Sequence, residues 1–430
     1  MQPLISNTLH QPSPDVRVVQ LDVLRGAAVL GIYWVNVMYF ALPYSAYVLP
    51  VLMGEATLAN NLVWGFSELM VDGTMRALFS MLFGASAMLF LAESRLAGGG
   101  LEVVDRYYRR TILLIIFGLI HAWILLWPQD VLYAYGLLGL FLFPLRKLSP
   151  KALFALGFVL LILGDLGVGQ SPAVSQAEVS QTMSDTGIEY ITKESIADTQ
   201  LGEAIENQIE EEIALYHSGY WTIFESQKKD VIRQQSSNVY DTYFFDVGGM
   251  MLIGMGLFAM GIFSGQRTAD VYLPFMVVGY LIGFFMRFPE VYEAVTRGFN
   301  LVRLVGREST FYNVGRLAMT IGHIGLICLL YETRFFARIA NVLARVGRMA
   351  LTNYMMQSLL SMLIFYGVGF GLYGQLERYE LLYVCVGVWV FLAVFSYSWL
   401  YYFHYGPMEW VWRSMIYAKR QKFRRDKTST

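Results

Sequence analysis

Along this chain, long apolar runs alternate with short polar breaks, and the runs occupy most of the length. A helix needs roughly 20 predominantly apolar residues, at ~1.5 Å rise each, to cross the hydrocarbon of a bilayer. Ten segments meet or approach that length: 23–48, 74–92, 110–127, 131–147, 151–168, 243–264, 271–288, 310–331, 349–372 and 380–404. The fourth and fifth are short and separated by only Leu148, Ser149 and Pro150. The pattern predicts an all-α, polytopic integral membrane bundle of about ten transmembrane helices. Between 169 and 242 it changes. Glu203, Glu206, Glu210, Glu211 and Glu212 crowd together, while Ile205, Ile209, Ile213 and Tyr216 recur at helical spacing. That spacing predicts amphipathic helices that cover the bundle.

Composition agrees with this reading. Of 430 residues, 56% are hydrophobic and only 15% charged, and the mean hydropathy is +0.46, too apolar for an ordinary soluble domain. A net charge of -1 gives no bulk attraction for nucleic acid, whereas 28 Tyr, 29 Phe and 9 Trp suit helices with aromatic ends at a lipid interface. Cys328 and Cys385 lie inside apolar runs and suggest neither a disulfide framework nor a metal site. Most of the 32 Lys and Arg residues fall on the side of the chain ends, which predicts both termini in the cytoplasm. The expected organisation is a cytoplasmic segment 1–20, a first helical block 21–168, an extracytoplasmic insertion 169–242, a second block 243–408 and a basic tail 409–430. The polar start carries no cleavable signal pattern, so the first span is expected to be retained.

Charged and polar residues inside such runs are expensive and therefore informative. His121 sits in the third run, which breaks at Trp127 and Pro128 and turns back at Asp130. On a continuous helix the imidazole and the carboxylate lie apart, and contact needs a break at Pro128. His121 suits a general base, although a satisfied core His fits the same pattern. Asp22 and Arg25 are i, i+3 neighbours, and Asn36 follows Arg25 by eleven residues on the same face, which suggests an anion held near one mouth of the bundle. Asp72 and Arg76 are spaced i, i+4 and are expected to pair. Arg316 and His323 share one face of the eighth span, and a stripe of Thr352, Asn353, Gln357 and Ser361 in the ninth is expected to face them. Gly248, Gly249, Gly254 and Gly256 in the sixth span point to close helix packing. His10 and His217 receive no role.

Five blocks carry a resemblance. Leu21 to Gly26, Arg76 to Gly84, the hairpin 117–136, Gly347 to Ser358 and Tyr405 to Arg413 are similar to the YeiB-like family of bacterial inner-membrane proteins. Its wider relatives resemble the membrane acyltransferases that modify sugars, the lysosomal glucosaminide acetyltransferase among them. The resemblance implies a polar tunnel, an acyl-CoA-type donor on one side and a sugar-like acceptor on the other. The polysaccharide branch places a His eleven residues after its Arg, where this chain has Asn36, and residues 37–71 contain no His to replace it. His121 is then the best-placed base, with Arg25 on the donor and Arg76 or Arg316 against developing negative charge. A second reading is a permease for a small anionic solute, with Arg76, Arg316 and His323 along the path, and a third is a non-catalytic scaffold.

Overall fold

The computed structural model describes residues 18–53, 57–96, 100–168, 190–192, 195, 199–263, 265, 267–300 and 312–425. The N-terminal segment up to residue 17, with His10, and the first part of the insertion, 169–189, lie outside the described residues.

Each of the ten apolar segments forms a helix. In chain order the helices are α1 (Val19–Ala41), α2 (Tyr44–Val48), α3 (Leu58–Phe66), α4 (Thr74–Leu96), α5 (Leu101–Ile124), α6 (Leu132–Leu145), α7 (Pro150–Asp165), α8 (Gln200–Tyr216), α9 (Tyr220–Gln235) and α10 (Phe244–Ala259). They continue with α11 (Ala269–Arg297), α12 (Tyr312–Tyr331), α13 (Ala337–Arg348), α14 (Ala350–Phe365), α15 (Leu381–Tyr402) and α16 (Pro407–Ile416). The two-residue strands Tyr190–Ile191 and Phe299–Asn300 pair antiparallel. The chain is an all-α helical membrane protein.

Among the described residues, seven helical stretches are long and apolar enough to cross a membrane, fewer than the ten expected. The other three, α6, α7 and α14, have 14, 16 and 16 residues. Prolines explain two of the shortenings: Pro144 closes α6 and Pro150 opens α7 behind a Ser149 cap. The third ends where Tyr366 turns extended, before a run of turns up to Tyr379. Two crossings instead extend beyond their apolar cores. Helix α3 leads through a π-helical turn at Ser67–Val71 toward α4, and α9 leads through a second one at Val239–Tyr243 into α10.

Glycines set the closest approaches. A Cβ on Gly84 of α4 would stand 2.0 Å from the Met251 carbonyl, and one on Gly254 of α10 would stand 2.0 Å from the Met81 carbonyl. The two backbones therefore touch reciprocally, as the glycine content of the sixth span predicts. Gly26 and Gly347 do the same where α1 crosses α13. The amphipathic insertion helices bury Ile209, Ile223 and Val231, and Tyr216 stacks on Tyr373 at 4.2 Å.

Candidate functional site

The third apolar helix ends sooner than its composition suggests. Pro128 cannot donate a backbone hydrogen bond and disfavours helix at the residue before it. Helix α5 stops at Ile124, and Leu126 adopts a left-handed conformation, φ +52°, uncommon outside glycine. Burial holds that strain in place: Leu126 and Trp127 are 1% exposed, and the Trp127 ring stacks on Phe40 at 4.0 Å. The turn brings Asp130 back onto His121. Their separation is 2.7 Å from His121 Nδ1 to Asp130 Oδ1, the contact expected only if the helix breaks near Pro128. His121 stands in the last turn of α5, and the break precedes Pro128 by three residues.

An ionised carboxylate only accepts hydrogen bonds, so Nδ1 carries the proton and Nε2 is the acceptor. Nε2 lies 2.7 Å from Ser358 Oγ of α14. Asp130 Oδ2 accepts the Tyr133 amide at 2.8 Å, which fixes the carboxylate as well. Gly118 makes room for it, since a Cβ there would meet Asp130 Oδ2 at 2.6 Å. Ser358, His121 and Asp130 thus form a hydroxyl, imidazole and carboxylate in series. All three are buried, and the Tyr354 ring covers the imidazole at 4.8 Å. Sealed in this way, the group meets a reactant only after a side chain moves.

A second cluster sits across Tyr243. Arg76 reaches Asp246 of α10 at 2.9 Å, and Arg316 of α12 grips the same carboxylate with both terminal nitrogens, one at 2.9 Å. Arg316 also bonds Asn313, which in turn holds Asp165. The expected Asp72 to Arg76 pair does not form. Asp72 precedes α4 instead of lying on it, and its carboxylate accepts from Tyr312 Oη at 3.3 Å. His323 is separate again: Nε2 meets the Met70 carbonyl at 2.7 Å and Nδ1 meets Tyr280 Oη at 2.8 Å.

The polar stripe of α14 does not face Arg316 and His323 as expected. Thr352 bonds Glu409, Asn353 bonds Ser396 and the Val346 carbonyl, Gln357 bonds the Val29 carbonyl and Ser361 bonds Tyr33. The stripe knits α14 to α1, α15 and α16. Arg25 pairs with Asp22 at 3.0 Å as its spacing predicts, whereas the half-buried Asn36 side chain joins none of these networks.

Polar contacts link the two clusters. Gln129, next to Asp130, accepts from Gln234 at 3.0 Å, and Gln234 also donates to Tyr243 Oη at 2.6 Å. The Tyr243 ring lies 5.7 Å from the Arg76 guanidinium, and Tyr135 Oη reaches the Arg76 carbonyl at 3.3 Å. Each π turn precedes one of the charged residues here, Ser67–Val71 before Arg76 and Val239–Tyr243 before Asp246. Ser358 and Asp246 are the residues that sequence reasoning missed. Ser358 lies four residues after Tyr354, on the helix face toward α5, one position off the polar stripe.

Sequence similarity to known proteins extends over nearly the whole chain. "Uncharacterized protein YeiB" of Escherichia coli (strain K12) is 30% identical over 414 residues, covering 93% of this chain and 96% of that protein. The chain belongs to the YeiB family. "Uncharacterized protein YxaH" of Bacillus subtilis (strain 168) is 27% identical, with 96% of this chain and 98% of the relative covered. A 39.9 kDa protein from Bacillus acidopullulyticus is 25% identical over 94% of this chain and 95% of its own length. The family model described as "Protein of unknown function (DUF418)" matches residues 257–419, which include Arg316, His323 and Ser358. This member of the YeiB family thus has a helical membrane fold with buried polar clusters.

Proposed function

We propose that this protein is a membrane-embedded acyltransferase of the bacterial inner membrane, with both termini cytoplasmic. The observation that carries the reading is the series of two 2.7 Å contacts from Ser358 through His121 to Asp130. An imidazole oriented by a carboxylate accepts a proton from the hydroxyl it faces. In the first step Ser358 Oγ attacks the acyl carbon of an acyl-CoA-type thioester as His121 Nε2 takes the hydroxyl proton. The C–S bond breaks, and the thiolate leaves with that proton. In the second step a sugar-like acceptor hydroxyl gives its proton to Nε2, its oxygen takes the acyl group, and Ser358 recovers its hydrogen. Arg76 and Arg316, linked to this group through Tyr243, supply positive charge to the same polar interior.

The test uses purified full-length protein in lipid nanodiscs with radiolabelled acetyl-CoA. Label is expected on the wild-type protein, and Ser358→Ala and His121→Ala should carry none. Label retained by Ser358→Ala would sink the assignment.

One observation favours a second reading, a permease for a small anion. The Arg76 and Arg316 Nε atoms are buried and, among the described residues, without a hydrogen-bond partner. A carboxylate or phosphate passing between them would supply acceptors to these two N–H donors, which Asp246 leaves unsatisfied. Uptake of a labelled anion into proteoliposomes, unaffected by Ser358→Ala, would favour this reading over acyl transfer.

A further inference from the structure

The face of the bundle that carries the chain ends holds a cavity of about 200 Å³, enclosed by the start of α1, by α13 and by the tail. Asp22, Asn341, Arg345, Arg348 and Arg425 supply its polar lining. The one acid among them is already engaged, because Asp22 pairs with Arg25 at 3.0 Å. Arg345 is held loosely: its Nε lies 3.4 Å from Asn341 Oδ1 and its Nη1 3.4 Å from the Tyr397 carbonyl, both long for a hydrogen bond. Arg425 is exposed and is fixed through its backbone, whose amide donates to the Tyr402 carbonyl at 3.0 Å. Among the described residues, neither Arg345 nor Arg425 pairs with a carboxylate. Arg348 donates to the His404 carbonyl at 3.3 Å and adds a third positive charge to the lining.

Three guanidiniums around one cavity attract a group with negative charge and several acceptor oxygens, and guanidinium matches phosphate in shape as well as charge. What lies beside the cavity narrows the source of that phosphate. The Arg345 guanidinium rests on the Tyr397 ring at 4.0 Å, an arginine and aromatic pair of the kind found where a membrane meets water. Tyr397 belongs to a stripe of exposed side chains on α15, with Val386, Val390, Val394 and Tyr401, whose spacing of three or four residues puts them on one helix face. At ~1.5 Å rise per residue that face runs ~22 Å, longer than the ~15 Å of hydrocarbon in one leaflet. Phe335 and Ile339, beside and within α13, are exposed as well. A soluble phosphorylated molecule gains nothing from such surfaces. A phospholipid uses both parts, its phosphate among the arginines and its acyl chain along the valines.

We infer that Arg345, Arg348 and Arg425 form a binding site for the phosphate of an anionic glycerophospholipid, whose acyl chain lies along the exposed face of α15. A zwitterionic headgroup brings an ammonium that the arginines repel, so a headgroup of net negative charge is preferred. The inference stands apart from the acyl-transfer reading, because binding is measured without turnover and Ser358→Ala should bind as wild type does.

The test places full-length protein in nanodiscs of equimolar phosphatidylcholine and phosphatidylglycerol and counts retained lipid by native mass spectrometry. Wild type is expected to retain phosphatidylglycerol over phosphatidylcholine. Arg345→Gln and Arg425→Gln should each weaken that retention about fivefold, the effect of one basic side chain at a membrane surface. Arg338→Gln, exposed on α13 but outside the lining, should leave it unchanged. Arg425→Gln alters an exposed tail residue and keeps the test open if Arg345→Gln fails to fold. No preference in the wild type, wild-type retention by a folded Arg425→Gln variant, or an equal loss in Arg338→Gln would overturn the inference. A parallel calorimetric titration of inorganic pyrophosphate into phosphatidylcholine nanodiscs is expected to give no heat; binding lost from Arg345→Gln and Arg425→Gln would assign the cavity to a soluble phosphate and overturn the lipid site.

Discussion

Replacing Asp246 by Asn removes one negative charge from between two guanidiniums and keeps the side-chain shape. Arg316 is fully enclosed, whereas the Arg76 side chain is 30% exposed, so the two pairs are not equivalent. At ~4 Å and an effective dielectric constant of ~20, each pair is worth about 4 kcal/mol before desolvation. Removing one partner of an enclosed pair strands the other, a loss measured at ~3–5 kcal/mol. A partly exposed pair contributes about 1 kcal/mol or less. Most of the effect therefore passes through Arg316. Asp246→Asn is expected to lose about 3–5 kcal/mol, Arg316→Met a similar amount, and Arg76→Met about 1 kcal/mol or less. In the double variant Asp246→Asn with Arg316→Met, no charge is stranded between these two positions, and the loss should fall well short of the sum. Thermal unfolding in detergent, followed by size-exclusion chromatography, gives all four values. Equal losses at Arg76 and Arg316, or a fully additive double variant, would refute the reasoning.

Three further outcomes follow from contacts elsewhere. Gly254→Val places side-chain carbon against the Met81 carbonyl, where even a Cβ would stand 2.0 Å away, so yield of folded protein should collapse while Gly387→Val, which meets open space, is neutral. Glu409 accepts the Leu351 and Thr352 amides at 2.7 and 3.1 Å, holding the start of the helix that carries Ser358; Glu409→Gln should lose about 1–2 kcal/mol in thermal unfolding. Burial pushes the Glu212 carboxyl up, although bonds from Tyr373 Oη and the Tyr44 amide oppose the shift. The folded state then favours the protonated form, so docking of α8 is strongest at acidic pH and weakens as pH rises above the usual carboxylate range. Protection of residues 200–216 against hydrogen exchange, taken relative to the intrinsic exchange rate at each pH, should fall as pH rises above the usual carboxylate range in the wild type, and Glu212→Gln should flatten that dependence.

The apolar helices and their order are legible in the sequence because hydrophobic length is a local property. The Asp22 to Arg25 pair is legible for the same reason. What escapes is contact across long separations. Asp246 is 170 residues from Arg76, and nothing local marks it as the shared partner of two arginines. The His121 to Asp130 contact hinges on where α5 ends, and the early stop comes from a left-handed residue that composition does not reveal. Ser358 escapes because Thr352, Asn353, Gln357 and Ser361 form the more obvious stripe. That stripe packs α14 into the bundle, while the neighbouring face carries the hydroxyl toward His121.

The helical run from Tyr220 to Ala259 has a mechanical consequence. Its outer arm, from the π turn at 239–243 to Tyr220, is ~30 Å long at ~1.5 Å per residue, while Asp246 lies only ~6 Å beyond the turn. Pivoting there, a tilt of ~10° would carry the tip ~5 Å and the Asp246 backbone ~1 Å. The polar arm is a lever of about five to one, its short end bearing a carboxylate whose three hydrogen bonds to Arg76 and Arg316 tolerate little more than that displacement. Whatever seats on α9 thus bears, across the non-helical Ser236 and the π turn, on the charge balance between Arg76 and Arg316.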